Sequence, residues 1–294
     1  MRFKIGIDSG GTHVTAEAYD STGELLAESS AGPGNSLIDF ELTKQNIKSV
    51  LTKLFKGLSV DDCELILAGI AGSQSAGNQK ELAAFIENSF HCPATVISDA
   101  ELARLKGLNG SDGILTIAGT GSIVLGQFNN RSYRAGGWGH LLGDYGSGYS
   151  LVRKVFKAML EETDRGKSGE MTRLIMDTFE TNDVYEAVRL FNRLPRNELA
   201  FYAKKLVEQG EKNSTFQTIM KTSGRELAMQ VLAVLEQVGA FANQSKIAIT
   251  GSVLTHNLVI RNSFQQTIKQ NYPDVTFVPL IGSNAAGVIY YKGV

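Results

Sequence analysis

The sequence predicts an α/β protein built from two similar halves, each with strands and helices in the order β-β-β-α-β-α. The first observation is a Gly-rich turn that interrupts an apolar run at Ile5–Thr12 and returns at Ile114–Ser122, with Thr12 and Thr120 108 residues apart. The second is the order of the apolar runs around these turns, because the same order of runs starts again at residue 113. A repeated turn inside a repeated order of elements indicates a duplication.

Each half begins with three strand-like runs and continues with alternating helices and strands. In the first half we expect strands near 3–8, 14–19, 24–29, 64–69 and 94–98, with helices near 40–56 and 78–89. In the second half we expect strands near 113–118, 122–127, 131–135, 246–250 and 275–278, with helical stretches after the last two. The repeat alone places the domain boundary near Asp112–Gly113, which predicts domains over 1–112 and 113–283. We also expect a C-terminal helix over 284–294 that joins the first domain.

A helical insertion of roughly residues 148–242 separates the third and fourth strands of the second half. Its apolar residues recur at helical spacing, which is typical of helices that bury one face. One stripe comprises Leu151, Val155, Phe156, Met159 and Leu160, and a denser one comprises Leu227, Met229, Val231, Leu232, Val234 and Leu235. We interpret both stripes as core.

Composition indicates a globular chain, with 294 residues, 43% hydrophobic and 20% charged. The formal charge is −1 and no dense Lys/Arg cluster occurs, so a nucleic-acid partner is not expected. Neither a signal peptide nor an apolar stretch of membrane-spanning length is evident, which predicts a cytoplasmic protein without a membrane partner. Two cysteines, Cys63 and Cys92, are too few for a disulfide framework, and the four histidines form no metal-ligand pattern.

The two Gly-rich turns carry the clearest chemical signal. Glycine lets the backbone approach an anion closely, while neighbouring N–H groups and hydroxyls supply donors. Asp8, at the start of the first turn, can hold Mg²⁺, usually through water. Each turn alone is also an ordinary hairpin sequence. The pair of turns, with an acid in the first, favours phosphate binding.

Two further segments point to a substrate site. Asp99 follows an apolar run and precedes a helical pattern, so it is a helix N-cap, a carboxylate that accepts a proton from an attacking hydroxyl, or both. The segment Gly136–Gly148 holds six glycines, which argues for a loop pressed against a ligand. Trp138, the only tryptophan, is either a ligand contact or a core residue.

Five motifs together resemble a known superfamily. The motifs Asp8-Ser9-Gly10-Gly11-Thr12, Gly119-Thr120-Gly121-Ser122 and Ile247-Ala248-Ile249-Thr250-Gly251-Ser252 are similar to those of the actin-like ATPases. Within that superfamily, Ser98-Asp99-Ala100 and the segment Ala135–Gly148 resemble the N-acetylglucosamine kinases and the related BadF/BadG/BcrA/BcrD ATPases. The resemblance implies two ribonuclease-H-like domains flanking a nucleotide cleft, with ATP and Mg²⁺ as cofactors.

The resemblance also implies roles for individual residues. Asp99 is implied as the catalytic base and Asp8 as the residue that positions Mg²⁺. The residues implied to bind ATP are Gly10, Gly11, Thr12, Gly119, Thr120, Gly121, Gly251 and Ser252. Those implied to contact the sugar are Asn35, Ser73, Asp99, Gly137, Trp138, Gly139 and Asp144. Tyr145 departs from the glutamate found in the animal enzymes, so the sugar contact of that glutamate is not implied for this chain.

We therefore expect an ATP-dependent kinase that converts an amino sugar, first of all N-acetylglucosamine, to its 6-phosphate. The alternatives are a kinase for N-acetylmuramic acid or glucosamine, a BadF-type ATPase acting on a protein partner, and a catalytically idle nucleotide-binding protein. The BadF-type ATPase is disfavoured because the two cysteines lack the spacing of an iron–sulfur site, and the idle nucleotide-binding protein because Asp8 and Asp99 are both present. The expected partners are small molecules, and a homodimer is left open.

Overall fold

A computed structural model of the chain describes residues 2–293. Its residues divide into two compact units, Met1–Ser111 with Leu280–Val294 and Asp112–Pro279. Within the described part of the chain, no helix combines the length and the apolar composition that a membrane span needs.

The first unit is built on a five-stranded mixed sheet with the strand order β3-β2-β1-β4-β5. Strands β1 to β3 are antiparallel to one another, whereas β4 and β5 run parallel to β1. The strands are β1 (Phe3–Ser9), β2 (Val14–Asp20), β3 (Leu25–Ala31), β4 (Cys63–Ile70) and β5 (Ala94–Ile97). The helices are α1 (Phe40–Leu54), α2 (Ser73–Ala76), α3 (Gln79–Phe90) and α4 (Asp99–Gly107), with a 3-10 turn at Val60–Asp62.

The second unit repeats this sheet with the order β10-β9-β6-β7-β8, so that β6 corresponds to β1 and β9 to β4. Its strands are β6 (Gly113–Ala118), β7 (Ser122–Phe128), β8 (Arg131–Gly136), β9 (Lys246–Thr250) and β10 (Thr276–Pro279). After β9 the chain forms α10 (Ser252–His256) and α11 (Leu258–Lys269). The predicted α/β class and the duplication are confirmed.

The predicted helical insertion is confirmed as five α-helices between β8 and β9. They are α5 (Gly148–Asp164), α6 (Glu170–Phe179), α7 (Val184–Arg193), α8 (Arg196–Gly210) and α9 (Ser214–Val238), followed by a 3-10 segment at Gly239–Gln244. Most of the predicted apolar stripes are buried, but Leu160 and Met229 are 36% and 60% exposed. Assigning these two to the core was wrong, because each lies on the outer face of its helix.

Each sheet has its own apolar core. In the first unit, β1 buries Phe3, Ile5 and Ile7 on one face, and α1 covers that face with four aliphatic side chains, Ile47, Val50, Leu51 and Leu54. Both cysteines are buried in this core. Helix α1 begins where the Asp39 side chain accepts the N–H of Leu42, which supplies the N-cap.

The C-terminal segment packs in the first unit as a 3-10 helix, Asn284–Tyr290, next to β1 and α4. The expected helix over 284–294 is therefore shorter and more tightly wound, and its last residue, Val294, lies outside the described residues. The segment contacts β1 at Gly6, where an added Cβ would lie 1.8 Å from the carbonyl oxygen of Ala285. Only glycine at position 6 permits this close approach.

Candidate functional site

Two acidic residues of the first unit, Asp8 and Asp99, lie near the carboxyl ends of β1 and β5, which the sheet topology brings to one edge. Asp8 is the next-to-last residue of β1, and Asp99 follows directly after the turn that ends β5. The Asp8 carboxylate accepts a hydrogen bond from Nδ2 of Asn284 at 3.0 Å. Burial raises the pKa of Asp8, and the nearby Asp99 carboxylate raises it further.

Asp99 is not the N-cap of its helix. Ser98 holds that position, because its Oγ accepts the N–H of Glu101 at 3.1 Å, and Asp99 is the first helical residue. Burial raises the pKa of Asp99 as well. The structure thus removes the capping alternative and leaves two neighbouring carboxylates with raised pKa values, a combination that is characteristic of functional sites.

Close packing around two glycines sets the position of helix α4 and therefore of Asp99. An added Cβ at Gly69 in β4 would lie 2.6 Å from Cβ of Leu102 in α4. At Gly287 it would lie 2.5 Å from the Leu102 carbonyl oxygen. Helix α4, with Asp99 at its start, is therefore held against β4 and the C-terminal segment at distances that larger residues do not allow.

The first Gly-rich turn connects β1 to β2, and the Gly10 N–H donates to the His13 carbonyl at 2.9 Å. Thr12 is exposed, and its Oγ1 lies 2.9 Å from Nδ1 of His13. An added Cβ at Gly11 would meet no atom within 4 Å, and at Gly10 the nearest atom would be 3.8 Å away. Neither residue has a left-handed φ, so the fold itself does not require glycine at these positions.

The loop that carries Asn35 is joined to this turn. The Gly34 N–H donates to the Gly10 carbonyl at 2.8 Å, and Ser9 Oγ donates to the Gly34 carbonyl at 2.7 Å. Oδ1 of Asn35 accepts the N–H of Leu37 at 3.1 Å, so the side chain also shapes its own loop. The predicted sugar residue Asn35 therefore lies on the same edge of the sheet as the first turn.

Ser73 differs from the expectation for a ligand contact. It is fully buried, and its hydroxyl donates to the Ile70 carbonyl at 2.8 Å. This bond holds the start of α2 against the end of β4. The structure therefore gives Ser73 a packing role and leaves its hydroxyl without access to a ligand.

The second Gly-rich turn connects β6 to β7 in the second unit. An added Cβ at Gly119 would meet no atom within 4 Å, as at Gly11, whereas at Gly121 it would lie 2.1 Å from Nη2 of Arg196. The Gly119 carbonyl accepts the N–H of Gly148 at 2.8 Å, which ties the turn to the start of α5. Packing within the protein explains why residue 121 is glycine, since a side chain there would collide with Arg196. It does not explain the glycine at position 119.

A cavity of about 580 Å³ opens beside the second turn. The turn borders it through Gly119 and Thr120, and α10 borders it through Ser252. Helices α5 and α8 supply mostly apolar walls, with Leu151, Ala200, Phe201, Ala203 and Val207 among the lining residues. Gly251 shapes the strand end that leads to Ser252, because its φ of 91° is left-handed and an added Cβ would lie 2.3 Å from the Ala118 carbonyl oxygen.

Asp144 is almost completely buried in the second unit. Its Oδ1 accepts the N–H of Ser122 at 3.2 Å, and its Oδ2 lies 2.7 Å from Nη2 of Arg196. Its φ of 58° is left-handed, which costs energy for a residue with a Cβ. The carboxylate predicted to bind sugar hydroxyls is thus engaged by the turn and by α8.

The Gly-rich loop after β8 exposes its apolar side chains. Trp138 is 65% exposed, and the Arg134 guanidinium lies 4.4 Å from the centre of its ring. Nη2 of Arg134 also donates to the Gly137 carbonyl at 2.7 Å, which fixes the start of the loop. The exposure of Trp138 excludes the alternative that it is a core residue.

Three residues with contacts in these sites were missed at the sequence level: Asn284, Arg196 and Arg134. Asn284 and Arg196 are far in sequence from the motifs they contact, and no spacing rule connects them. A polar residue after the Gly282-Ser283 turn was the only signal for Asn284. Arg196 lies inside the helical insertion, where the sequence offers no chemical pattern.

The identical strand order of the two sheets and the paired turns place the protein in the actin-like ATPase fold class. Residues 5–289 match the BadF/BadG/BcrA/BcrD ATPase family, and the chain belongs to that family.

Curated relatives match over almost the whole chain. An N-acetylmuramic acid/N-acetylglucosamine kinase of Clostridium acetobutylicum is 30% identical over 305 residues, covering 98% of this chain and 97% of the relative. The N-acetyl-D-glucosamine kinase of Dictyostelium discoideum is 26% identical over 298 residues, covering 92% and 91%.

Solved structures share the fold at lower identity. A Chromobacterium violaceum protein provisionally named an N-acetylglucosamine kinase has a TM-score of 0.77 at 21% identity, with 98% of each chain covered. A ROK family glucokinase from Streptomyces griseus, solved with glucose and AMPPNP, has a TM-score of 0.56 at 16% identity, with 98% of this chain and 97% of that chain covered. At these identities the likeness shows the fold alone.

Proposed function

We propose that the protein is an ATP-dependent kinase that transfers a phosphoryl group to the 6-hydroxyl of an amino sugar, with N-acetylglucosamine as the first candidate. The observation that carries this proposal is the pair of neighbouring acids, Asp8 and Asp99, at the edge where β1 and β5 end. The names of the two curated relatives, both amino-sugar kinases, support the same chemistry.

Asp99 is the proposed general base. Phosphorylation of an alcohol needs a carboxylate that orients the hydroxyl and accepts its proton as the bond to phosphorus forms. The raised pKa of Asp99 makes its carboxylate a stronger base than an exposed aspartate. Because Ser98 caps the helix, the Asp99 side chain is not needed for that purpose.

Asp8 is the proposed Mg²⁺ residue. No cluster of three or more His, Cys, Asp or Glu side chains suited to a metal occurs within residues 2–293. Mg²⁺ usually takes one or two carboxylates and completes its shell with water and phosphate oxygens, and Asp8 is the carboxylate proposed here. A bound Mg²⁺ supplies positive charge that neutralises the phosphates, while Asn284 holds the Asp8 carboxylate in place.

The two turns are the proposed phosphate contacts. Gly10, Gly11 and Gly119 have room for a Cβ and no left-handed φ, so nothing in the protein itself explains their lack of a side chain. A phosphate group approaching the backbone gives the missing reason. Thr12 and Thr120 add hydroxyl donors, and the cavity bordered by Thr120 and Ser252 has the apolar walls that suit an adenosine group.

Sugar recognition is proposed for Asn35 and for the backbone of Gly137, Trp138 and Gly139, whereas the Asp144 carboxylate is already engaged by Ser122 and Arg196. A neutral acetamido group needs amide or backbone partners and an apolar wall, whereas the ammonium of glucosamine needs another carboxylate. Tyr145 stands where the animal enzymes have glutamate and supplies no such charge. We therefore rank N-acetylglucosamine above glucosamine. N-acetylmuramic acid is the second candidate, because the name of the Clostridium relative includes both N-acetylated sugars.

We also propose that the two units are the two ATPase domains and that the enzyme acts in the cytoplasm on small molecules.

The test is ADP release measured side by side with glucose, glucosamine, N-acetylglucosamine and N-acetylmuramic acid, with the product position assigned by NMR. N-acetylglucosamine is expected to exceed glucose in kcat/KM by at least roughly tenfold. Glucose lacks the acetamido group, so the polar atoms of the pocket that bind this group would be left without hydrogen-bond partners. Glucosamine as the best substrate, or no turnover with any of the four sugars, would contradict the proposal.

A further inference from the structure

The guanidinium of Arg196 lies against the second Gly-rich turn. An added Cβ at Gly121 would be 2.1 Å from its Nη2, so the absence of a side chain at Gly121 is what admits the arginine. Arg196 is the first residue of α8, and the next residue, Asn197, lines the cavity beside Thr120. The cation therefore lies against the turn, and Thr120 of the same turn borders the cavity.

Arg196 lies at the N-terminus of α8, where a positively charged side chain is unusual. Positive side chains are disfavoured at a helix N-terminus, where the unpaired N–H groups already present positive charge. Arg196 nevertheless lies there and adds to the positive potential of α8 beside the turn. Although the Asp144 carboxylate is paired with this cation, the guanidinium has further donors that an anion at the turn can accept.

Asp144 forms an ion pair with this cation but leaves hydrogen-bonding capacity on the guanidinium unused. Its Oδ2 is 2.7 Å from Nη2 of Arg196, but the pair lacks the alignment of a hydrogen bond. Nε of Arg196 is buried and has no hydrogen-bond partner, although the side chain as a whole is 36% exposed. An unpaired buried guanidinium donor is costly, and a phosphate oxygen is the acceptor that its planar fork suits best.

From these contacts we propose that Arg196 binds a phosphate of the donor nucleotide, with Asp144 and Gly121 holding its guanidinium beside the second turn. This inference rests on the proposed function for the identity of the ligand as ATP. It adds to that function a charged phosphate contact supplied by the helical insertion. The Gly-rich turn then provides neutral donors, and α8 provides the positive charge.

The experiment compares ATP with adenosine as ligands for Arg196→Ala by isothermal titration calorimetry. The Kd of ATP is expected to rise at least about tenfold, which corresponds to about 1.4 kcal/mol, because a charge-assisted contact is lost. The Kd of adenosine is expected to stay within about twofold, since adenosine lacks the phosphate. Equal weakening of both ligands, or no change in the Kd of ATP, would overturn the proposal.

Two further variants separate the phosphate contact from a purely structural role. Arg196→Lys keeps the charge but loses the planar fork, so its Kd for ATP is expected to lie between those of the wild type and Arg196→Ala. Arg193→Ala removes an exposed arginine three residues earlier and is expected to bind ATP like the wild type. A lysine variant as weak as the alanine variant while its adenosine affinity also falls would show that Arg196 serves folding instead.

The wild-type titration also separates this inference from the proposed function. If the wild type binds ATP but phosphorylates none of the four sugars, the sugar kinase proposal fails, and the ATP-to-adenosine comparison still decides the role of Arg196. If the wild type binds no ATP, both proposals are overturned.

Discussion

Nδ2 of Asn284 donates to Oδ2 of Asp8 at 3.0 Å, which joins two residues 276 positions apart in the chain. The C-terminal segment reaches Asp8 because Gly6, two residues earlier in β1, leaves room for the backbone of Ala285. The position of the proposed Mg²⁺ residue thus depends on both ends of the chain. This geometry leads to predictions about the two acids and about the glycines around them.

Asp99→Asn is expected to lower kcat by about 10² or more, because general-base catalysis typically contributes 10² to 10⁴. The Kd of ATP is expected to change little, since the proposed role of Asp99 concerns the acceptor hydroxyl and not the nucleotide. Steady-state kinetics and calorimetry measure the two quantities. Asp61→Asn, the same chemical change at an exposed position of the first unit, is the control. Turnover of Asp99→Asn close to that of the wild type would remove Asp99 from the mechanism.

The raised pKa values also predict a pH dependence of kcat. A base works in its ionised form, so kcat should fall as the pH drops through the pKa of Asp99. Because burial raises that pKa above the usual value, the loss is expected at a higher pH than for an exposed aspartate. A pH profile without an acid limb at or above the ordinary aspartate range would argue against this assignment.

Asp8→Asn is expected to stabilise the folded protein at neutral pH. A carboxyl with a raised folded-state pKa binds its proton more tightly when folded, so its ionisation lowers stability as the pH rises through that pKa. The neutral asparagine avoids this cost. Thermal unfolding without Mg²⁺ is expected to show a higher Tm for the variant at pH 7.5, and the difference should shrink toward acidic pH. A lower Tm for the variant at pH 7.5 would contradict the prediction.

Gly6→Ala is expected to destabilise the protein by at least about 1–3 kcal/mol, the usual range for overpacking. The new methyl group would occupy the position of the Ala285 carbonyl oxygen, which is backbone and cannot rotate away. The C-terminal segment would have to move, taking Asn284 away from Asp8. Denaturant unfolding measures the loss. Gly57→Ala is the control, because its added Cβ meets nothing closer than 4.0 Å.

Gly11→Ala is expected to leave the Tm unchanged and to weaken ATP binding. The added methyl group meets no protein atom within 4 Å, so only a ligand at the turn can collide with it. Gly119→Ala is expected to behave in the same way at the second turn, for the same reason. If calorimetry gives the wild-type Kd of ATP for both variants, neither turn binds phosphate.

The sequence by itself determined the elements and their order, because local rules govern them. A short apolar run predicted β1, and helical spacing predicted α1 and most of the buried faces of α5 and α9. The Gly-rich turns were visible because glycine and hydroxyl residues stand side by side in the chain. The duplication followed from the repetition of these local signals.

Tertiary structure alone decided which side chains meet. Asn284 reaches Asp8, and Arg196 reaches Asp144, across sequence separations that no periodicity encodes. The same holds for exposure, since Trp138 lies in solvent while Ser73 is fully buried, although either could have been placed in a site from its residue type. Even the cap of α4 depended on backbone geometry, which gave that role to Ser98 and made Asp99 the first helical residue. A sequence pattern records the environment of a residue within a few positions, whereas burial and long-range contacts depend on how whole elements pack.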